Sequence, residues 1–192
     1  MEIEIRAFIN NIEDFKKKIQ EIGGKFDSEK HIIDYWFCPK DNTCFEQAQQ
    51  HKPGSYALRI RKKLKNGQEI VEFNCKVLEK EGDHNAFHEH ETTVGSFEQT
   101  RQILEKMGFK VFCIIDKNRT TYKLDHCKIN IEDIKGFKPA VELEIISDSE
   151  IEKHRSYLKD LLNRLGIEEK DKIEKSITFV YMEQFSFKNL NC

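Results

Sequence analysis

The chain opens on a strict alternation of apolar and charged residues. Along residues 1–7, which read M-E-I-E-I-R-A, every second residue is charged and the residues between are apolar. This period of two predicts a strand with one ionic face and one apolar face. Glu2 and Glu4 share the ionic face, either as a solvated pair on an edge strand or as a carboxylate pair that holds a cation such as magnesium.

The same alternation recurs at several places along the chain, and residues 31–37 are rich in Ile, Tyr, Trp and Phe, so further strands are predicted. They cover residues 31–37, 57–62, 72–77, 87–94, 110–122, 128–134 and 141–145, and residues 176–185 form a further strand-like segment. Helical spacing of apolar residues predicts helices from Asn11 to about Ile22, from Ser96 to Gly108, and from Ser147 or Ser149 to Gly166. We expect the second helix to bury Phe97, Ile103, Leu104 and Met107. Loops are expected at residues 39–54 and 79–86, with a hairpin turn at Asn66-Gly67.

These elements form an imperfect internal repeat. A strand with two acids, a helix, a glycine and a strand with two cations follow one another from Glu2 to Arg61 and again from Glu89 to Arg119. A third strand with two acids, also followed by a helix, begins near Glu142. Short strands interrupted by helices predict an α+β fold with a large antiparallel sheet.

Composition restricts the function classes. The chain has 192 residues, of which 34% are charged, and a net charge of −2, so it lacks the bulk basic field of a nucleic-acid-binding protein. We expect no membrane span, because no apolar run approaches ~18 residues, and no signal peptide, because charges begin at Glu2. The six Cys form no CxxC pair, which predicts reduced, mostly buried thiols and a cytoplasmic location.

The direction of the ionic faces decides what the sheet can do. If these faces point inward, the sheet closes into a barrel around a polar lumen and the apolar faces meet the helices outside. Like charges inside would repel by on the order of 4 kcal/mol per pair at 4 Å and an effective dielectric of ~20, so an anion such as a chain of phosphates must compensate them. The cations are Arg6, Arg59, Arg61, Lys76, Lys117 and Arg119. The oxygen ligands for Mg²⁺ or Mn²⁺ would be Glu2, Glu4, Glu89, Glu91, Glu132, Glu142 and Glu144.

Several motifs in one order resemble those of a known family. They are Glu2-x-Glu4-x-Arg6, A-L-R-I-R at 57–61, Lys76, Lys117-x-Arg119-x-x-Tyr122, I-E-D-I-x-G at 131–136 and Glu142-x-Glu144. Over residues 1–181 the chain resembles the CYTH family of triphosphate tunnel metalloenzymes, which includes class IV adenylyl cyclases, thiamine triphosphatases and inorganic tripolyphosphatases. The resemblance implies a closed eight-stranded antiparallel barrel wrapped by helices, here a single domain over residues 1–185 with a frayed tail at 186–192.

The resemblance also implies roles for individual residues. The six cations would bind the polyphosphate, Glu2, Glu4, Glu132 and Glu142 would bind metal, and Glu89, Glu91 and Glu144 would contribute. The chain departs from the family pattern at Arg6, Phe87, Glu132 and Cys38. Tyr35 or Trp36 stands at the place of a family tyrosine that positions water. The catalytic residues are left open, with Tyr35 and Lys76 as candidates.

The expected function is that of a metal-dependent phosphohydrolase acting on inorganic tripolyphosphate, thiamine triphosphate or a nucleoside triphosphate. The alternatives are a class IV adenylyl cyclase, which forms cyclic AMP and pyrophosphate from ATP, and a non-catalytic polyphosphate-binding module. We interpret His84, His88 and His90 as surface histidines and not as a zinc site, because His88 and His90 lie on the strand face opposite Glu89 and Glu91. We expect no nucleic-acid or membrane partner, and the sequence leaves the oligomeric state open, a homodimer included.

Overall fold

The computed structural model describes residues 2–49, 52–65, 67–78, 87–147 and 149–187. The chain divides into two compact units. The first unit comprises residues 1–30 and 117–177, and the second comprises residues 31–116 and 178–192. The single domain predicted over residues 1–185 stays a prediction.

The described residues form β-strands, α-helices and a short 3₁₀ helix. In chain order they are β1 Glu2–Phe8, α1 Ile12–Glu21, β2 Lys25–Pro39, α2 Phe45–Ala48, β3 Tyr56–Lys65, β4 Gln68–Leu78, β5 Phe87–Thr93, α3 Phe97–Lys106, β6 Phe109–Leu124, β7 Cys127–Ile134, β8 Ala140–Ile146, α4 Ile151–Arg164, the 3₁₀ helix Glu169–Asp171, β9 Lys172–Ile173 and α5 Ile177–Phe185. The predicted hairpin residue Asn66, the predicted loop 79–86 and residues 188–192 of the expected tail lie outside the described residues.

The strands pair antiparallel, which confirms the predicted α+β fold with a large antiparallel sheet. The order is β2-β6-β7-β8-β1-β9 in the first unit and β5-β4-β3-β2-β6 in the second. Among the described residues β9 ends the first order and β5 ends the second, so the closed eight-stranded barrel stays a prediction.

The core of the first unit lies between the apolar strand faces and two helices. Ile3, Ile129 and Leu143 of the strands cluster with Ile19 of α1 and Leu161 of α4, and all five are at most 4% exposed. The predicted N-cap of α1 is confirmed, because the Asn11 side chain accepts a hydrogen bond from the backbone N–H of Asp14 at 3.0 Å. Period-two strands and a period-3.6 helix therefore bury their apolar sides against each other.

A core cluster of the second unit uses only part of α3. Ile60 and Leu104 are buried within it, together with Phe37, Leu58 and Val71. The prediction that α3 also buries Ile103 and Met107 is wrong, because these side chains are 59% and 66% exposed. They lie roughly 60–100° around the helix from Leu104. The buried face of α3 is therefore narrower than the set of its apolar residues.

The strand-like segment at 176–185 is also corrected, because residues Ile177–Phe185 form helix α5. Ile177, Tyr181 and Met182 are buried, which is the i, i+4, i+5 spacing of one helix face. Phe179 packs its ring edge-on against Phe45, with centroids 5.3 Å apart. The β-branched and aromatic residues of this segment favour a strand locally, and packing in the folded chain overrides that preference.

The described cysteines are free, as predicted, and Cys38, Cys113 and Cys127 are buried. Burial raises the pKa of Cys38 to about 11 and the pKa values of Cys113 and Cys127 to about 12. In the described part of the chain no helix is both long and apolar enough to cross a membrane.

Candidate functional site

The first unit carries a buried ionic surface, here called the first ionic face, on the strand sides opposite α1 and α4. It consists of Glu4, Arg6, Lys117, Arg119, Thr121, Lys128, Asn130, Glu132, Glu142 and Glu144. Arg6 and Lys117 are each 6% exposed, Glu144 is 8% exposed and Glu132 is 1% exposed. Because residues directly opposite in an antiparallel pair share a face, the register alone brings Arg6 to Glu142 and Arg119 to Glu132.

Arg6 joins two of the predicted metal ligands. Its Nε donates to Oε2 of Glu142 at 2.9 Å, and its Nη2 contacts the carboxylate of Glu4. One guanidinium therefore occupies the place of a cation shared by two carboxylates.

Glu132 lies between two cations. Its Oε2 is 3.0 Å from Nζ of Lys117, and its Oε1 contacts Nη2 of Arg119. Burial acts to raise the pKa of Glu132, but Lys117 and Arg119 outweigh burial and hold it below the usual value. Burial likewise acts to lower the pKa of Arg119, and the carboxylates of Glu132 and Glu142 outweigh it and raise that pKa.

Polar residues outside the predicted ligand set complete this face. Lys128 Nζ is 2.6 Å from Oε1 of Glu144, and Asn130 donates to its other oxygen at 3.2 Å. Asn130 in turn accepts from Thr121 at 2.8 Å. Asn130 is visible in the sequence as a polar residue in register with Glu132, whereas only the strand register identifies Lys128 and Thr121.

The second unit has a corresponding surface, here called the second ionic face, on the strand sides opposite α3. It consists of Asp34, Trp36, Arg59, Arg61, Lys63, Glu72, Asn74, Lys76, Glu89 and Glu91. Asp34, which was not predicted, is 0% exposed and accepts from Nε and Nη2 of Arg61 at 2.5 and 2.7 Å. A single acid within the apolar run I-I-D-Y-W-F was the available signal, because a buried carboxylate needs a cation.

Arg59 is 5% exposed and contacts three polar side chains. Its Nε donates to Asn74 at 3.1 Å, its Nη2 donates to Glu89 at 3.2 Å, and its Nε is 3.9 Å from Oδ1 of Asp34. Burial lowers the pKa of Arg59 to about 10 although these carboxylates act to raise it, so the guanidinium is charged at neutral pH. Lys76 lies 3.0 Å from Glu89. Burial acts to raise the pKa of Glu89, but Lys76 and Arg59 lower it.

The structure separates the two aromatic residues considered for the family tyrosine. Tyr35 lies on the apolar face, with its ring centroid 4.5 Å from that of Phe97, so its placement does not support the predicted catalytic role. Trp36 lies on the second ionic face, with the guanidinium carbon of Arg59 5.2 Å from its ring centroid. Adjacent residues of a strand point to opposite faces, and pairing with Arg59 decides which one joins the ionic side.

The structure thus groups the predicted residues by unit. The first ionic face holds Arg6, Lys117, Arg119, Glu4, Glu132, Glu142 and Glu144. The second holds Arg59, Arg61, Lys76, Glu89 and Glu91. The Glu2 side chain and His84 lie outside the described residues, and His88 and His90 are exposed on the strand side opposite Glu89 and Glu91, as predicted.

The donor set of the first ionic face fits a hard divalent cation. Its carboxylate oxygens are the ligands that Mg²⁺ and Mn²⁺ take, and Oε2 of Glu132 is buried with only the ammonium of Lys117, 3.0 Å away, beside it. Nε of Arg119, a buried donor, lacks a hydrogen-bond partner, which suits an anion. In the described part of the chain no group of three or more His, Cys, Asp or Glu side chains is already arranged to hold a metal ion. The carboxylates would have to leave their arginine and lysine partners to do so.

Comparison with known proteins places this geometry in a family. The CYTH domain model matches residues 1–177. A Methanocaldococcus jannaschii protein named "Putative adenylate cyclase" is 29% identical over 178 residues, which are 92% of this chain and 95% of that protein. A solved Pyrococcus horikoshii structure, 26% identical, covers 92% of this chain and 96% of that one with a TM-score of 0.71. A Hippeastrum structure, described as a "Putative adenylyl cyclase" that "reveals a dominant" triphosphatase activity, is 15% identical, covers 94% of this chain and 95% of that one, and has a TM-score of 0.62. The chain, matched over nearly its whole length, belongs to the CYTH domain family.

Proposed function

We propose that this protein is a divalent-metal-dependent phosphohydrolase that acts on a triphosphate substrate. The observation that carries the proposal is the burial of strand cations in faces that also hold carboxylates: Arg6, Arg59 and Lys117 are at most 6% exposed. Buried charges are expensive without a partner, and a polyphosphate is an anion that a row of guanidinium groups can clamp.

The ion pairs suggest how substrate and metal would enter together. Each of these cations is held by a carboxylate, as Arg6 is by Glu142 at 2.9 Å. Phosphate oxygens would take the cations, and the carboxylates released in this way would take the metal. Either ligand alone would leave buried charges unpaired, so we expect triphosphate and metal to increase each other's affinity.

The roles proposed for the chain's own groups follow from this exchange. Arg59, Arg61 and Lys76 on one face, and Arg6, Lys117 and Arg119 on the other, would bind and align phosphoryl oxygens. Glu2, Glu4, Glu132 and Glu142 would hold Mg²⁺ or Mn²⁺, with Glu89, Glu91 and Glu144 contributing. When bound, the metal polarises a phosphoryl group towards attack by water. The closed eight-stranded barrel with a charged lumen is part of this proposal.

A class IV adenylyl cyclase is the second candidate. The name of the Methanocaldococcus jannaschii relative favours it, at 29% identity over nearly both chains. The Hippeastrum structure, at 15% identity, supports the fold and does not decide between the two reactions. Hydrolysis has fewer structural requirements than cyclisation, because it needs a metal, water and a polyphosphate but no pocket that positions a ribose hydroxyl group.

One set of incubations separates the candidates. The purified protein is mixed with Mg²⁺ or Mn²⁺ and with tripolyphosphate, thiamine triphosphate or ATP. Release of inorganic phosphate supports the phosphohydrolase, whereas cyclic AMP with pyrophosphate supports the cyclase. Tight binding without turnover supports a polyphosphate-binding module, and neither binding nor turnover would refute all three.

A further inference from the structure

Trp36 is the sole tryptophan of the chain, and its indole nitrogen lacks a partner. The residue is 5% exposed and lies on the second ionic face, directly opposite Arg59 in the pairing of β2 with β3. Its Nε1 is buried, and no hydrogen-bond acceptor contacts it in the described residues. Buried donors of this kind are rare in folded proteins and call for an explanation.

The surroundings of Trp36 indicate which kind of acceptor its indole N–H would bind. An indole N–H can only donate, so its partner must offer a lone pair. The guanidinium of Arg59 lies 5.2 Å from the ring centroid, and Arg61 lies two residues further along the same face of β3. Asp34, the nearest carboxylate along β2, already accepts two hydrogen bonds from Arg61. An oxygen brought by a bound anion would meet both the unpaired donor and the positive charge of Arg59.

We propose that Trp36 is a substrate-binding residue whose indole N–H donates a hydrogen bond to a phosphoryl oxygen of the triphosphate held by Arg59. The inference rests on the proposed function, because it requires a triphosphate at the second ionic face. It adds a neutral, directional donor to a site otherwise made of charged groups. Such a donor fixes where one oxygen sits, whereas flexible cations mainly supply attraction.

A purely structural role is the competing explanation. The Trp36 ring could serve only as a platform for the Arg59 guanidinium, a cation–π contact that needs no N–H. The two roles differ in one atom. A phenylalanine in place of Trp36 keeps an aromatic face for Arg59 and removes the donor.

The first test observes the N–H itself in the wild-type protein. Because the chain has one tryptophan, ¹⁵N-labelled protein gives one indole N–H signal by nuclear magnetic resonance. Inorganic tripolyphosphate, added with and without Mg²⁺, should move this proton signal downfield and slow its exchange with water. Calorimetry on the same sample reports whether tripolyphosphate binds. An unmoved, fast-exchanging signal in protein that calorimetry proves saturated would overturn the role of Trp36 and leave the phosphohydrolase proposal standing.

The second test is the substitution Trp36→Phe, with Tyr56→Phe as its control. Tyr56 lies on β3, on the apolar strand face, and loses only a hydroxyl group. We expect tripolyphosphate affinity to fall about tenfold or more in Trp36→Phe, as for one lost hydrogen bond to a charged acceptor, and to stay unchanged in Tyr56→Phe. Equal affinity of Trp36→Phe and wild type would refute the inference. If the wild-type protein itself binds no tripolyphosphate, the proposed function fails and this inference with it; if Trp36→Phe does not fold, the wild-type measurement decides.

Discussion

The two ionic faces have similar arrangements of residues and differ in how well carboxylates compensate one arginine of each, Arg119 on the first and Arg59 on the second. On the first face, the carboxylates of Glu132 and Glu142 outweigh the effect of burial and raise the pKa of Arg119. On the second, burial prevails over Asp34 and Glu89 and lowers the pKa of Arg59 to about 10. The first face therefore holds its cations against nearby acids, while the second leaves a buried arginine with weaker carboxylate support. We therefore expect an added anion to bind more favourably at the second face and an added metal ion to bind more favourably at the first.

The similarity is clearest at the two buried asparagines. Asn74 accepts from Arg59 at 3.1 Å and donates to Glu91, while Asn130 accepts from Thr121 at 2.8 Å and donates to Glu144. Each asparagine orients one glutamate through a neutral amide. Carboxylates oriented in this way are suited to act as ligands, because their oxygens stay in place when a cation arrives.

The largest effect is expected at Glu4 of the first face. Glu4→Gln keeps the shape of the side chain and removes its charge, so we expect metal-dependent turnover of the triphosphate to fall about a hundredfold or more, on the order of 3 kcal/mol. Phosphate release at saturating Mg²⁺ measures the loss, and circular dichroism checks the fold. Glu13→Gln, an exposed residue of α1, is the matched control. Unchanged activity in Glu4→Gln would remove this carboxylate from the site.

The stability of the faces should depend on one buried acid each. Glu132→Gln leaves Lys117 and Arg119 without their shared carboxylate, and we expect the free energy of unfolding to fall by about 3 kcal/mol. Asp34→Asn should lower the free energy of unfolding by a similar amount, because Arg61 loses its paired carboxylate. Urea denaturation measures both. Glu105→Gln, at a partly exposed residue of α3, is the control and should change the free energy of unfolding by less than about 0.5 kcal/mol.

Adding tripolyphosphate gives a second test of these variants, because an anion can replace a lost carboxylate. Without metal it should restabilise Glu132→Gln more than it stabilises the wild type. If Glu132→Gln keeps wild-type stability, the buried ion pairs of the first face do not hold the cations as the geometry implies.

Anion affinity should distinguish the two arginines directly. In the absence of metal, we expect Arg59→Gln to weaken tripolyphosphate binding about thirtyfold and Arg119→Gln only about threefold, because Arg119 is already compensated by acids. Calorimetry at constant ionic strength measures both, and Arg101→Gln of α3, a partly exposed arginine paired with Glu98, should bind as the wild type does. Equal losses at Arg59 and Arg119 would abolish the proposed difference between the faces.

The smallest expected effect is the response of stability to acid. The pKa of Glu132 in the folded protein is below that of the unfolded chain, so its contribution is complete above about pH 4.5 and is lost as the pH falls through the folded value. The free energy of unfolding should therefore decrease more steeply below pH 4.5 in the wild type than in Glu132→Gln. The pKa of Glu89 is lowered as well, but its side chain is 37% exposed. Glu89→Gln should therefore reduce the pH dependence of the free energy of unfolding less than Glu132→Gln does. Parallel pH curves for the wild type and Glu132→Gln would contradict this assignment.

Much of the fold followed from local patterns. The strand alternation, the Asn11 cap and the glycine ends of the helices depend on neighbours within a few residues, and the structure agrees with them. The prediction failed at α5, at the exposed side of α3 and at α2, which lies within the predicted loop 39–54. At α5 and α2 distant contacts contribute, since Phe179 packs against Phe45. β-branched and aromatic residues do not distinguish a strand from a helix once tertiary packing supplies the energy.

By itself, the sequence determined which residues share a strand face, because side chains alternate with a period of exactly two whatever the rest of the chain does. It thereby placed Arg59 with Arg61, and Lys117 with Arg119, on ionic faces. Only the tertiary structure decided which acid each cation meets. Asp34 reaches Arg61 across 27 residues, and Arg6 reaches Glu142 across 136. Such pairs depend on the register between strands that are remote in sequence, and the burial that makes them strong exists only once the strands have come together.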